Sequence, residues 1–309
     1  MTATVHGMVP DEEKVVRRGR VRLWTERFGH PGDPTVLLVM GTSTPGIGWP
    51  DELVEALVDS GRQVIRFDHR DTGRSDTVDF AAHPYALADL AADTVAVLDG
   101  HGVAAAHLVG TSLGAAIGQW LAVHQPARVR TLTAMASSPM GNNPGPAWAR
   151  ALTGQPAVAD ELPPPTARFL DHVRASATAP RTTPEQRVDA DVRTWRVLNG
   201  DVLPFDEAAA RRFVAHCHDR ARDLTAAANH DLAGRRWSDD RRAPLSGITA
   251  ATLVLHGSDD PLLPTAHGAA LAALIPGARL EIVPGMGHHP FFAPGLTERI
   301  AGAIIGHTS

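Results

Sequence analysis

The chain has 309 residues, 43% of them hydrophobic and 20% charged, with a net charge of −5, so it carries ample apolar material for a large core and lacks the basic footprint of a nucleic-acid binder. Its one cysteine, Cys217, excludes an intramolecular disulfide, and no apolar run approaches the length of a membrane span. No basic segment followed by an apolar stretch opens the chain, so a cytoplasmic enzyme is expected, one that meets a small apolar substrate and neither a membrane nor a nucleic acid.

Two short basic clusters, Arg17-Arg18-Gly19-Arg20 and Arg235-Arg236 with Arg241-Arg242, are interrupted by acids and read as solvated surface. Residues 20–28 alternate charged and apolar side chains, which suits a half-buried edge strand. Thr35-Val36-Leu37-Leu38-Val39-Met40 is continuously apolar after its first residue, the pattern of a strand covered on both faces. Residues 50–60 place Leu53, Val54, Leu57 and Val58 at helical spacing and stop at Gly61. A strand at 63–67, a helix at 84–99, a strand at 107–110, a helix at 113–124 and a strand at 129–136 follow. Strand alternating with helix predicts a parallel sheet with helices on both faces.

The alternation then breaks. Residues 137–165 are rich in proline, glycine and asparagine, and 166–175, 184–198 and 205–229 have helical character only. Strands at 252–256 and 279–283, with helices at 265–274 and from 296, resume the first pattern. The expected organisation is an interrupted α/β core, residues 1–138 and 248–309, with a helical cap inserted over 139–247. Insertions at strand ends sit over the site those ends create.

Gly110-Thr111-Ser112-Leu113-Gly114 fits G-x-S-x-G directly after a predicted strand and before a predicted helix. The turn is too tight for side chains beside the serine, hence the glycines, and the following helix brings a positive dipole end to developing negative charge. A serine that merely caps a helix would explain Ser112 but not two suitable partners elsewhere in the chain. A serine hydroxyl needs a base. Pro284-Gly285-Met286-Gly287-His288 follows a predicted strand and presents His288 in that role, with adjacent His289 as its rival. His256-Gly257-Ser258-Asp259-Asp260-Pro261 supplies two carboxylates, of which Asp260 is preferred over Asp259 as the residue that orients the base. The strand ending at Ser138 carries no acid, and the order Ser, Asp, His is the one such hydrolases use.

Donors for transition-state charge are expected from the backbone N–H groups of Leu113 and of Thr42, in the glycine-containing loop after the first apolar strand. His69, between Asp68 and Arg70, reads as a loop-stabilising residue. In His216-Cys217-His218 adjacent helical residues diverge, so no joint metal site is expected. Phe213, Cys217, Ala221 and Leu224 share one helical stripe, which suggests a buried thiol. Neither a zinc spacing nor a phosphate loop is present, so neither metal nor cofactor is expected.

Several stretches carry a family likeness: Leu38-Val39-Met40-Gly41 with Gly48-Trp49-Pro50-Asp51-Glu52, Arg66-Phe67-Asp68-His69-Arg70-Asp71-Thr72-Gly73-Arg74-Ser75, Asp79-Phe80-Ala81-Ala82-His83-Pro84-Tyr85, residues 90–100, and Pro284-Gly285-Met286-Gly287-His288. On these the chain resembles lid-bearing esterases of the α/β-hydrolase fold, and more closely the aclacinomycin methylesterases of anthracycline biosynthesis. The resemblance implies a mostly parallel sheet flanked by helices, with a helical cap inserted between core strands. It places the catalytic triad on Ser112, Asp260 and His288 and the oxyanion donors on Thr42 and Leu113. It also implies cofactor-free hydrolysis of a methyl ester on a polycyclic polyketide. Lactone or carbon–carbon bond hydrolysis on the same residues, and a non-catalytic binder of the same fold, are the alternatives. The sequence departs from the family at Thr42-Ser43-Thr44-Pro45, at Thr111 and Leu113, and most of all in the insertion.

Overall fold

A computed structural model describes residues 8–236, 241 and 243–309. Residues 1–7 of the opening stretch and Arg242 of the second basic cluster lie outside the described residues. Among the described residues, eight strands form one sheet in the order β1-β2-β4-β3-β5-β6-β7-β8. These are β1 (Glu12–Arg18), β2 (Val21–Phe28), β3 (Thr35–Val39), β4 (Gln63–Phe67), β5 (Ala106–Thr111), β6 (Val129–Met135), β7 (Ala251–Gly257) and β8 (Arg279–Val283). The first two are antiparallel to their neighbours and the rest run parallel.

One sequence expectation is corrected here. Residues 20–28 do not form the sheet edge, because β2 lies between β1 and β4. The edge is β1, whose Glu-Glu-Lys-Val-Val-Arg-Arg run suits a strand with one row of backbone groups open to water. Gly19, at φ 57°, turns the chain between the two strands.

The central strands are buried on both faces, and their side chains alternate between two cores. On β3, Leu37 and Val39 join one cluster, while Val36 and Leu38 join the other. The first cluster is covered by α2 (Leu87–Gly100), α3 (Leu113–His124) and α9 (Ala266–Leu274), the second by α1 (Asp51–Asp59) and α10 (Leu296–His307). Parallel strands feed their crossovers back over the faces in this way, so β3 to β8 all point their carboxyl ends to the same edge.

Between β6 and β7 the chain forms α4 (Gly145–Leu152), α5 (Ala167–Ser176), α6 (Pro184–Leu198), α7 (Glu207–Arg220) and α8 (Asn229–Arg235). Thr183 and Gln186 cap α6 reciprocally, with Pro184 in the first turn. The helix expected over 205–229 ends at Arg220, so the anticipated stripe does not continue to Leu224, which is exposed beyond the helix end. Cys217 is half-buried on α7, and burial pushes its thiol pKa up. No helix among the described residues is long and apolar enough to cross a membrane.

Candidate active site

The sharp turn between β5 and α3 puts Ser112 at the carboxyl edge of the sheet. Its backbone is left-handed, φ 52° and ψ −115°, a strained conformation for a residue with a Cβ. Both flanking glycines are sterically required. A methyl group on Gly110 would run into the Gly114 carbonyl, and one on Gly114 into the Val39 carbonyl. The turn is pinned by Ser112 N–H donating to Met135 O at 2.9 Å and by Ser137 Oγ donating to Ser112 O at 3.0 Å. The Ser112 side chain makes no capping bond to its own helix, so the hydroxyl is uncommitted locally.

The chain after β7 and the chain after β8 meet at the same carboxyl edge of the sheet. His288 Nδ1 and Asp260 Oδ2 are 2.8 Å apart. The other carboxylate oxygen, Oδ1, accepts from the N–H groups of Leu262 and Leu263 at 2.9 and 2.8 Å, so the carboxylate cannot rotate freely. Burial pushes the Asp260 carboxyl up, but the adjacent His288 ring, its hydrogen bond, His256 and the Leu263 N–H outweigh it, and the pKa ends below the usual value. Asp259, the rival carboxylate, turns the other way and accepts from the N–H groups of Asp201 and Val202.

His288 N–H donates to Leu198 O at 2.7 Å, which fastens the histidine loop to the end of α6. Gly287 allows that approach, since a Cβ there would collide with the Leu198 carbonyl and the Asn199 backbone. His289 faces away from Asp260. Its ring stacks on Phe292 at 5.1 Å and lies against Trp195 at 4.3 Å and Phe291 at 5.3 Å. Both of its nitrogens are buried without a hydrogen-bond partner, and burial followed by the nearby His288 lowers its pKa to about 3.

Thr42 is exposed on the loop after β3. Gly41 lets this loop close onto the elbow, where a Cβ at 41 would already touch Ser112 Cβ at 3.4 Å. Among the described residues neither Thr42 N–H nor Leu113 N–H donates a hydrogen bond, and Leu113 begins α3, where the first N–H has no intrahelical partner. No hydrogen bond of this site runs from Ser112 Oγ to the His288 ring.

The loop carrying Thr42 is braced from beneath. His69 Nε2 lies 3.0 Å from Met40 O, and Asp68 Oδ1 accepts from Gly46 N–H at 2.8 Å. Burial, with His230 nearby, lowers the His69 pKa to about 3. The loop-stabilising role expected of His69 therefore has a specific contact. Sequence reasoning missed His230, Ser43 and His267, which stands between Ser138 Oγ and Pro163 O at 3.0 and 2.9 Å. Each meets partners more than a hundred residues away, and no local motif marks them. Among the described residues no three His, Cys, Asp or Glu side chains converge where a metal ion could sit.

Residues 34–293 match the alpha/beta hydrolase fold family, and the chain belongs to that family. It is 41% identical to rhodomycin D methylesterase DnrP of Streptomyces peucetius, over 96% of this chain and 97% of that one. To rhodomycin D methylesterase DauP of Streptomyces sp. strain C5 it is 40% identical, with the same coverage of 96% and 97%. A hydrolase from Pseudomonas aeruginosa PA01 superimposes with a TM-score of 0.72 at 25% identity, over 96% of this chain and 98% of that one. Kinship with methylesterases over nearly the whole chain makes this protein a carboxylic ester hydrolase of the aclacinomycin methylesterase type.

Proposed function

We propose that the chain hydrolyses its ester through an acyl-enzyme, with Ser112 as nucleophile, His288 as base and Asp260 as the group that orients His288. The observation that carries this reading is the buried 2.8 Å pair of His288 Nδ1 and Asp260 Oδ2. An ionised carboxylate only accepts, so Nδ1 holds the proton and Nε2 keeps the lone pair a base needs. Nε2 takes the Ser112 proton as Oγ bonds to the ester carbon. The carbonyl oxygen becomes an oxyanion held by Thr42 N–H and Leu113 N–H. Collapse of the adduct expels the alcohol, which leaves with the proton from His288. A water molecule then gives a proton to His288 and attacks the acyl carbon, and collapse of that adduct releases the acid while Ser112 Oγ takes the proton back from His288. The contact between hydroxyl and imidazole closes when substrate is bound, as is common where the free enzyme holds the two apart.

The substrate we propose is a methyl ester on a polycyclic polyketide. Two relatives are named for rhodomycin D. The helices of 139–247 serve as a cap whose aromatic side chains, Trp195, Phe205 and Phe213, share a cluster with His289 and Phe292. Trp148 and Phe169 form a second, separate pair at 5.8 Å.

The test is turnover of a short-chain chromogenic ester and methanol release from a polycyclic methyl ester by wild type and Ser112→Ala. The variant should lose roughly 1,000-fold or more in kcat. Wild-type turnover in Ser112→Ala removes Ser112 from the reaction.

A further inference from the structure

The loop that carries Thr42 is also gripped by the insertion. Ser43 N–H donates to His230 Nδ1 at 2.9 Å, across 187 residues of sequence. Ser43 Oγ donates to Ala227 O at 2.8 Å. On its other side, His230 Nε2 lies 2.9 Å from Arg70 O. A carbonyl can only accept, so Nε2 carries the ring proton and Nδ1 is the lone pair that receives Ser43. The ring is 2% exposed. Burial lowers its pKa against the opposing pull of the Arg70 carbonyl and Asp71, which keeps the imidazole neutral and able to accept.

Ser43 itself is left-handed, at φ 59°, a region few non-glycine residues occupy. The contacts around it are visible: Ala227 and His230 hold Ser43, Thr44 Oγ1 donates to Thr42 O at 3.1 Å, and His69 holds Met40 O. Together they fix the Met40–Gly41 and Thr42–Ser43 peptides, which flank the Gly41–Thr42 peptide that carries the Thr42 N–H, in a loop that touches the nucleophile elbow through Gly41.

We propose that His230 is a positioning residue for ester hydrolysis: through Ser43 it sets the direction of the Thr42 N–H, so a side chain of the insertion completes the oxyanion hole of the core. This rests on the assignment of Thr42 N–H as an oxyanion donor. The bond to Ser43 is distal to the substrate, so its loss acts on the transition state and not on ground-state binding.

Two variants divide the ring's two bonds. His230→Asn can offer Oδ1 near the Nδ1 position, which keeps an acceptor for Ser43 and gives up Arg70. His230→Gln can offer Nε2 to Arg70 O and leaves Ser43 without an acceptor. We expect His230→Gln to lower kcat roughly tenfold or more with KM within about twofold, and His230→Asn to recover most of that loss. Affinity for a trifluoromethyl ketone, which forms a tetrahedral adduct with a serine nucleophile, should fall in step with kcat. Equal losses in the two variants, losses confined to KM, or losses that track the melting temperature alone overturn the proposal. Wild-type kcat in His230→Gln, with Ser112→Ala inactive, sinks this inference and leaves the proposed function standing. An active Ser112→Ala sinks the function itself. A further readout needs no variant: 15N–1H correlation spectra of the wild-type ring should show the Nε2–H tautomer at neutral pH, and an Nδ1–H tautomer or an imidazolium contradicts the proposal.

Discussion

Asp260 reaches His288 with one carboxylate oxygen because the other is held by two backbone N–H groups of its own turn, those of Leu262 and Leu263. This division of labour makes the carboxylate a fixed reference for the imidazole. Asp260→Asn keeps the shape but can present an amide N–H to Nδ1, which favours the wrong tautomer. We expect kcat to fall about 10³- to 10⁴-fold. Asp259→Asn, which changes a group turned toward Asp201 and Val202, should leave kcat within about threefold of wild type. Steady-state kinetics on one chromogenic ester decides both.

His289 separates from His288 by its surroundings. A buried ring with both nitrogens unpartnered is a desolvation cost with no hydrogen bond to offset it. His289→Leu should therefore raise stability by about 1–2 kcal/mol, read as an increase in the urea midpoint, with kcat within about threefold of wild type. His288→Gln should abolish turnover. The reverse pattern would make His289 the base.

Acid should destabilise the fold by forcing protons onto buried histidines. His69 and His289 have pKa values of about 3, and His101 and His107 of about 4, all lowered from 6.5 chiefly by burial. The unfolded chain takes up protons near pH 6.5 that the folded chain refuses. These groups therefore contribute stability that is complete above about pH 6.5 and is lost progressively as the pH falls toward 3. Urea midpoints should decline from pH 7.5 to pH 5, and His289→Leu should decline less steeply. A flat profile contradicts this.

The elbow glycines differ from glycines on open helix surface. Gly114→Ala forces a methyl group into the Val39 carbonyl and should cost roughly 3 kcal/mol or more, or prevent folding. Gly306→Ala, on α10, meets nothing within 4 Å and should be neutral or stabilising by up to about 1 kcal/mol. Thermal melts of the two variants check the contrast.

The parts of the fold that sequence made legible are those with short-range signals. A continuous apolar run gave β3, short strand-like segments alternating with helical stripes gave β4 to β8, and stripes ending in glycine gave α1 and α2. Strand β1 went unread because its charge-rich run resembles a solvated segment until β2 pairs with it. Helices α4 and α8 were missed among proline, glycine and arginine, and the end of α7 was placed too late because residues 221–229 keep helical composition without a helical path. The elbow and the glycine-rich histidine loop are local motifs, so Ser112 and His288 stood out. Asp260 was preferred to Asp259 from its place just before Pro261, and the coordinates add which of the two carboxylates faces the ring. The His230 contact to Ser43 was invisible, because a backbone N–H carries no side-chain identity and its partner lies in the segment least like the family.

The most direct test of the central claim is peptide-mapped mass spectrometry after treatment with a fluorophosphonate. Wild-type protein should gain a single adduct per chain, located on Ser112, with activity lost in proportion, and Ser112→Ala should gain none. An active wild-type enzyme that resists the reagent, or an inactivating adduct on a different residue, would contradict it.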